Sequence, residues 1–383
     1  MSKPVRWAAR ACLAASSLAL AAVAVPAASA AVVEPRAQVA PAARTVQASY
    51  AATPTAAAVG TGWIARDLSP SGAVVDAVSG KPSAGDTADA ILALVAAGEG
   101  ADQVRSAIYW LEHHFGSYVA AKGIDNPGSL GLVTLAAVAA GVDPVHFGGD
   151  ARANDLVARL EATEASQGPS AGLFGTETSA NAFSQSLALL ALAAVKVPGK
   201  AISLGEAYLA RLQCNDGGWE YSRTTVATPC AKPDPKSYAG PDTNSTALAV
   251  MAIVAVGGHL SYSAVAFFRN SQEPDGSFGY YGVPGDGQQG DPDSTAEVIQ
   301  ALIALAAVND GQFVRGGVTP EQALERFQYG CSAPLKERGE FSYGGAPSQY
   351  ATLQAVPAAA GATFPIYPRR LSVAEPQLSC AVG

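Results

Sequence analysis

Asp293 and Glu297 stand four residues apart, a spacing that sets two carboxyl groups one turn apart on one face of a helix. Asp89 holds the position equivalent to Glu297 in an earlier copy of the same local pattern. Two carboxyls facing one cleft can share acid and base work in glycoside cleavage, and their separation sets the stereochemical outcome. Asp86, Asn181, Gln185, Asn244, Ser245, Ser294, Gln300 and Gln349 supply carboxyl, amide and hydroxyl edges near the same helix starts. Trp219, Tyr221, Phe278, Tyr280 and Tyr281 follow glycines in the preceding loops. Aromatic walls with such polar rims suit a large, partly apolar ligand. Each residue also has a plain structural role open to it, as helix cap or loop plug. Metal chemistry has little to work with: there is no CxxC, His113 and His114 are adjacent and cannot share a helix face, and His146 and His259 fall in loops. No metal and no cofactor is expected.

These residues belong to a unit that recurs about every 50 residues, the mark of stacked helical hairpins. A loop of type Gln-x-x-Asp-Gly-(Gly/Ser)-aromatic leads into an Ala/Leu-rich helix, clearest at Gln213–Trp219 before Asn244-Ser-Thr-Ala247 and at Gln272–Phe278 before Asp293-Ser-Thr-Ala296. Further copies of the helix begin near Gly85, Gly128, Ala180 and Pro347. Stretches such as Leu187–Val195 and Leu248–Val256 are apolar all round, so these helices must be buried on every side. Between them the spacing predicts half-exposed helices over 101–115, 150–164, 203–212, 261–271 and 320–329, with a weaker first member at 56–68. Six alternations of buried and amphipathic helices close most simply into an all-α (α/α)6 toroid, one domain over 56–383. Parallel inner helices would bring six N-termini to one end of a central cavity, where they favour anionic or carbonyl-rich groups.

The Gln-x-x-Asp-Gly-(Gly/Ser)-(Trp/Phe) loops and Asp-Ser-Thr-Ala helix starts resemble the prenyltransferase and squalene oxidase repeat. That repeat builds prenyltransferase β subunits, triterpene cyclases and the α-domain of the cobalamin carriers intrinsic factor and transcobalamin. Class II cyclases use Asp-x-Asp-Asp, whose central Asp protonates an alkene or epoxide; Asp291-Pro-Asp293-Ser294 keeps that centre and loses the last Asp. Such cyclases generally pair two barrels, whereas this chain has residues for one. The zinc ligands of the prenyltransferases are missing. The resemblance to the exported single-toroid carriers implies a binding role, although their closing β-domain has no counterpart before Gly383. The loops 224–241 and 279–290 are candidates for a partial cover.

The N-terminus reads as an export leader over residues 1–30, with Lys3, Arg6 and Arg10 ahead of an apolar run and Ala28-Ser29-Ala30 at its end. Residues 31–55 read as an Ala/Pro-rich disordered linker. Without the leader's three basic residues the chain has 21 basic against 32 acidic side chains, a net charge of −11. That excess argues against nucleic acid and anionic membrane surfaces, and no stable membrane insertion is expected after cleavage. In an exported chain the remaining cysteines pair by spacing as Cys214–Cys230 and Cys331–Cys380. The expectation is a secreted toroid that binds a small, largely apolar or corrinoid-like ligand without catalysis. Carbohydrate cleavage by Asp89, Asp293 and Glu297 and a cyclase-like reaction are the alternatives, and a cell-surface glycan or protein is the next partner.

Overall fold

Helices without a polar face must find neighbours on every side, and here they find them in one another. A computed structural model describes residues 54–149, 154–196, 199–281 and 290–373. Its inner helices are α2 (Ala84–Ala97), α5 (Pro127–Ala140), α7 (Ala182–Ala194), α9 (Thr243–Ala255), α11 (Pro292–Ala304) and α13 (Gln349–Ala359). Each packs on the next in that order, and α13 packs on α2 to close the ring. Outside them lie α1 (Pro54–Asp67), α3 (Ala101–His114), α6 (Leu156–Ala162), α8 (Lys200–Arg211), α10 (Ala264–Ser271) and α12 (Pro320–Glu325). Outer helices cover inner ones throughout, as α3 does α2 and α5. The expected all-α (α/α)6 toroid is therefore present, with α6 and α12 shorter than their sequence patterns. The one-turn α4 (Gly116–Val119) is an addition.

Short two-stranded ladders lead into four of the inner helices: β1 (Val74–Val75) with β2 (Pro82–Ser83), β3 (Ala120–Ala121) with β4 (Ile124–Asp125), β5 (Trp219–Glu220) with β6 (Pro241–Asp242), and β7 (Phe341–Tyr343) with β8 (Ala346–Ser348). The repeat motif builds these entries. The Gln213 side chain donates to the Gly217 carbonyl and to Tyr262 O at 3.0 Å each, and accepts from Tyr262 N–H at 2.9 Å. Gln272 spans to Phe313 O in the same way. Gln328 donates to Ala56 O at 2.9 Å, stitching the last repeat to the first. The motif threonines bind the aromatic residue's backbone: the N–H of Trp219, Phe278 and Phe341 donates to Thr246, Thr295 and Thr352.

The inner helices run in parallel register. Gly128 sits against the Ser184 backbone near both N-termini, and at the opposite end Gly98, Gly141 and Lys196 all meet residues 367–369. Chain 361–373 crosses those C-terminal ends: Arg369 donates to Ala96 O at 2.8 Å, Ser372 N–H donates to Gly98 O, and Ile366 joins the core. The chain itself thus crosses one end of the ring, and the helix N-termini form the other, the mouth.

The leader and nearly all of the linker lie outside the described residues. No helix among the described residues is long and apolar enough to cross a membrane. Cys214–Cys230 is a disulfide. Cys331 is disulfide-bonded as well, and its expected partner Cys380 lies outside the described residues.

The motif glycine is required by geometry. Gly217 has φ +97°, and a Cβ there would lie 2.3 Å from Ser263 O at the start of α10. Replacing Gly217 with Ala is expected to cost about 2 kcal/mol or more, combining left-handed backbone strain with a backbone clash. Thermal unfolding should register it as a drop of several degrees, and an unchanged midpoint would contradict this account of the motif.

Candidate functional site

The mouth is built by helix register. Six N-cap residues start the inner helices: Ser83, Asn126, Asn181, Asp242, Asp291 and Ser348. Counting from each cap, positions two, six and nine fall on one helix face, the face that points into the ring. The second positions are Gly85, Gly128, Phe183, Asn244, Asp293 and Tyr350. The sixth are Asp89, Leu132, Leu187, Leu248, Glu297 and Gln354. The ninth are Leu92, Leu135, Leu190, Met251, Gln300 and Pro357, all buried, and they make a floor. The lumen is therefore two-faced. Adjacent helices α11, α13 and α2 present acids, an amide and a phenol, while α5, α7 and α9 present leucines. Asp89, Phe183, Leu187, Asp293, Tyr350 and Gln354 are half-buried, so this depression is reached by solvent.

Electrostatics confirm that the polar faces converge. Burial raises Glu297 to about 8, helped by the charge of Asp89 across the ring. Asp89 is likewise raised to about 8, by burial first and Asp86 second. Asp293 lies well above the ordinary carboxyl range because of burial, Asp291 and Glu297. The Tyr350 phenol is pushed up by burial and then by Asp293, Asp89 and Glu297. Among the described residues, no lysine, arginine or histidine is one of the charges acting on these four groups. At neutral pH the acids are accordingly held in their protonated forms.

Three of the polar lumen residues on α11 carry unpartnered oxygens, as do some scaffold residues such as Thr134, Ser186 and Gln272. Among the described residues, Asp293 Oδ1, Glu297 Oε2, Gln300 Oε1 and Ser245 Oγ are buried without a hydrogen-bond partner. Glu297 is 5% exposed and Gln300 1%. Such orphaned groups carry a penalty of about 1–3 kcal/mol each, which a bound ligand can relieve. Asn244 accepts from the Thr243 hydroxyl at 3.0 Å and is otherwise at the lumen, and Asp86 adjoins Asp89. Tyr221 is half-buried and meets Phe183 edge-on at 5.5 Å, on the apolar side. Tyr280 and Tyr281 pack together at 4.8 Å, with Tyr280 hydrogen-bonded to Asp242.

Several expected contacts are scaffold instead. Trp219 is fully buried, and its indole N–H donates to Leu209 O at 2.9 Å, so it is a core plug and no wall. Phe278 is likewise a plug. Asn181 caps α7 in a reciprocal box with Ser184. Gln185 takes the place of the motif threonine, accepting from Phe174 N–H and donating to Gly172 O. Ser294 donates to Asp291. Gln349 accepts from Ala77 N–H and donates to Val75 O and Asp67, joining the sixth repeat to the first. Three lumen residues escaped the sequence reading: Tyr350, Gln354 and the apolar face headed by Phe183. The repeat register reveals them once the caps are known. Of the candidate cover loops, 282–289 lie outside the described residues, and 224–241 brings the exposed Tyr238 toward Tyr281 at 6.1 Å.

No family model and no curated protein matches this chain. Solved structures do. A type II terpene cyclase from Scytonema, in its apo form, aligns at TM-score 0.53 and 13% identity, over 80% of this chain and 97% of that one. An unsaturated glucuronyl hydrolase from Bacillus sp. GL1 aligns at TM-score 0.54 and 12% identity, over 82% and 99%. This chain has the α/α-toroid fold. A haptocorrin complex with Cbi superposes less well, at TM-score 0.45 and 14% identity, over 84% of this chain and 69% of that one.

The raised acids fix a pH dependence of stability. Between the ordinary carboxyl value near 4 and about 8, the folded chain binds more protons at Asp89 and Glu297 than the unfolded chain does. Folding stability should therefore fall as pH rises from about 5 to 8. The pair Asp89→Asn with Glu297→Gln should flatten that slope in denaturant titrations. A slope of the opposite sign, or one the pair leaves untouched, would contradict the buried-acid assignment.

Proposed function

We propose that this chain is an exported binding protein whose lumen holds a small, largely apolar ligand with a hydrogen-bonding edge, a corrinoid-like molecule being the first candidate. The observation that carries the reading is the row Asp293, Glu297 and Gln300, three side chains with unpartnered oxygens on one face of α11, opposite a leucine wall. A ligand with one polar and one apolar side satisfies both at once. Export is supported by the basic and apolar leader pattern together with the Cys214–Cys230 disulfide. A hydrolytic carboxyl pair needs one member ionised while the other is protonated, whereas Asp89, Asp293 and Glu297 are all shifted the same way. The second reading is acid-initiated chemistry on an apolar polyene, favoured by a protonated Asp293 in a lumen that also has a leucine wall. A glycan or a cell-surface protein is the remaining partner class.

Native mass spectrometry of the oxidised chain incubated with cobalamin, polyprenols and a glycan library tests this. Retained cobalamin or prenol is expected, with affinity lowered about ten-fold or more in Asp293→Ala with Glu297→Ala, as loss of two buried hydrogen bonds implies. Cyclised prenols or shortened glycans would replace the binding reading with an enzymatic one. Retention unchanged by the double substitution would exclude the site.

A further inference from the structure

The orphaned atoms on α11 are all oxygens: an amide oxygen that only accepts, and carboxyl oxygens that accept from a ligand donor once their proton has left. Gln300 Oε1 can only accept, and its side chain is 1% exposed. Asp293 Oδ1 and Glu297 Oε2 share its helix face, and Glu297 feels Asp89 across the ring. Among the described residues no cation is one of the charges that act on this wall. A bare metal ion is a poor fit, because among the described residues the only three-ligand cluster within 4.8 Å is Cys214, Glu220 and Cys230, two of which form the disulfide. Asp89, Asp293 and Glu297 do not all three come within that distance of one another, which suits a group with several N–H donors better than a single ion. The opposite wall of Leu132, Leu187 and Leu248 takes hydrocarbon.

We infer that the lumen is a receptor for cationic amphiphiles, with a protonated amine or amidine against Asp89, Asp293 and Glu297 and a hydrocarbon body against the leucines. The inference rests on the reading of the lumen as the ligand site and narrows it to one ligand class. On binding, the ligand's positive charge replaces an acid proton, which leaves for solvent, so the filled wall holds a carboxylate paired with its cation. No bond is made or broken in the ligand.

Three probes with one hydrocarbon chain and different ends decide the matter: geranylamine hydrochloride, geraniol and sodium geranate, each titrated calorimetrically at pH 7 into the full oxidised chain. The amine is expected to bind about ten-fold or more tightly than the alcohol, and geranate least, as a charge-assisted contact in a buried site requires. Asp89→Asn with Glu297→Gln should erase the amine's advantage while geraniol still binds, which also shows that the variant is folded. Equal binding of amine and alcohol, or an advantage that survives the substitutions, overturns the cationic assignment and leaves the lumen reading intact. Binding of none of the three by the wild-type chain defeats both.

Discussion

Ring closure is the constraint from which the rest follows. Six helices that are apolar on all sides can be buried only if each has neighbours left, right and behind, and a closed ring with an outer layer supplies them. Closure in turn fixes the register of every inner helix against the next, so the same cap-relative positions line the lumen six times. The small residues Gly128 and Gly131 let α5 and α7 approach to backbone contact, where a Cβ on Gly131 would lie 2.6 Å from the Leu187 carbonyl group. The side chains of Gln328 and Gln349 then tie the last repeat to the first across some 270 residues of sequence.

A lumen made this way has a default content, which is hydrocarbon. Three helices keep to it with Leu132, Leu187 and Leu248, and three depart from it with Asp89, Glu297 and Gln354. The departure is expensive. Acids are brought together without a counter-charge, so burial and mutual repulsion drive them to their neutral forms. Scaffold glutamines elsewhere in the same repeats are tied into the backbone: Gln185, Gln213, Gln328 and Gln349 each bridge two or more backbone groups, and Gln272 does so through its Nε2 alone. Other buried oxygens, Gln272 Oε1 and Ser186 Oγ among them, also lack a partner; what distinguishes Asp293, Glu297 and Gln300 is that three such oxygens share one face of α11.

The architecture was legible in the sequence because a hydrophobic pattern repeated six times is a strong signal, and the equivalence of Asp89 and Glu297 followed from the same alignment. Individual roles were harder, since they turn on a phase of one or two residues. The Ser-Thr-Ala pattern points to helix starts at Asn244 and Asp293, whereas the caps are Asp242 and Asp291. That shift frees Asp293 for the lumen and makes the motif threonine a bridge to the preceding aromatic. Trp219, Gln185 and Gln349 are polar or aromatic residues of the right type in the right loops, and only their hydrogen-bond partners reveal them as scaffold. The segment 361–373 has no periodicity at all, so nothing in its sequence announces that it crosses the C-terminal ends of α2, α5 and α7.

The central claim is that the acid wall of the lumen is neutral in the free protein because the ring gives it no counter-charge. Carbon-13 NMR of the side-chain carboxyls, followed from pH 4 to 10 and assigned with Glu297→Gln and Asp89→Asn, reads this directly. The account requires Glu297 and Asp89 to titrate near 8. Titration of both near 4, as for carboxyls in water, would show that the wall is solvated and charged, and the argument built on it would fail.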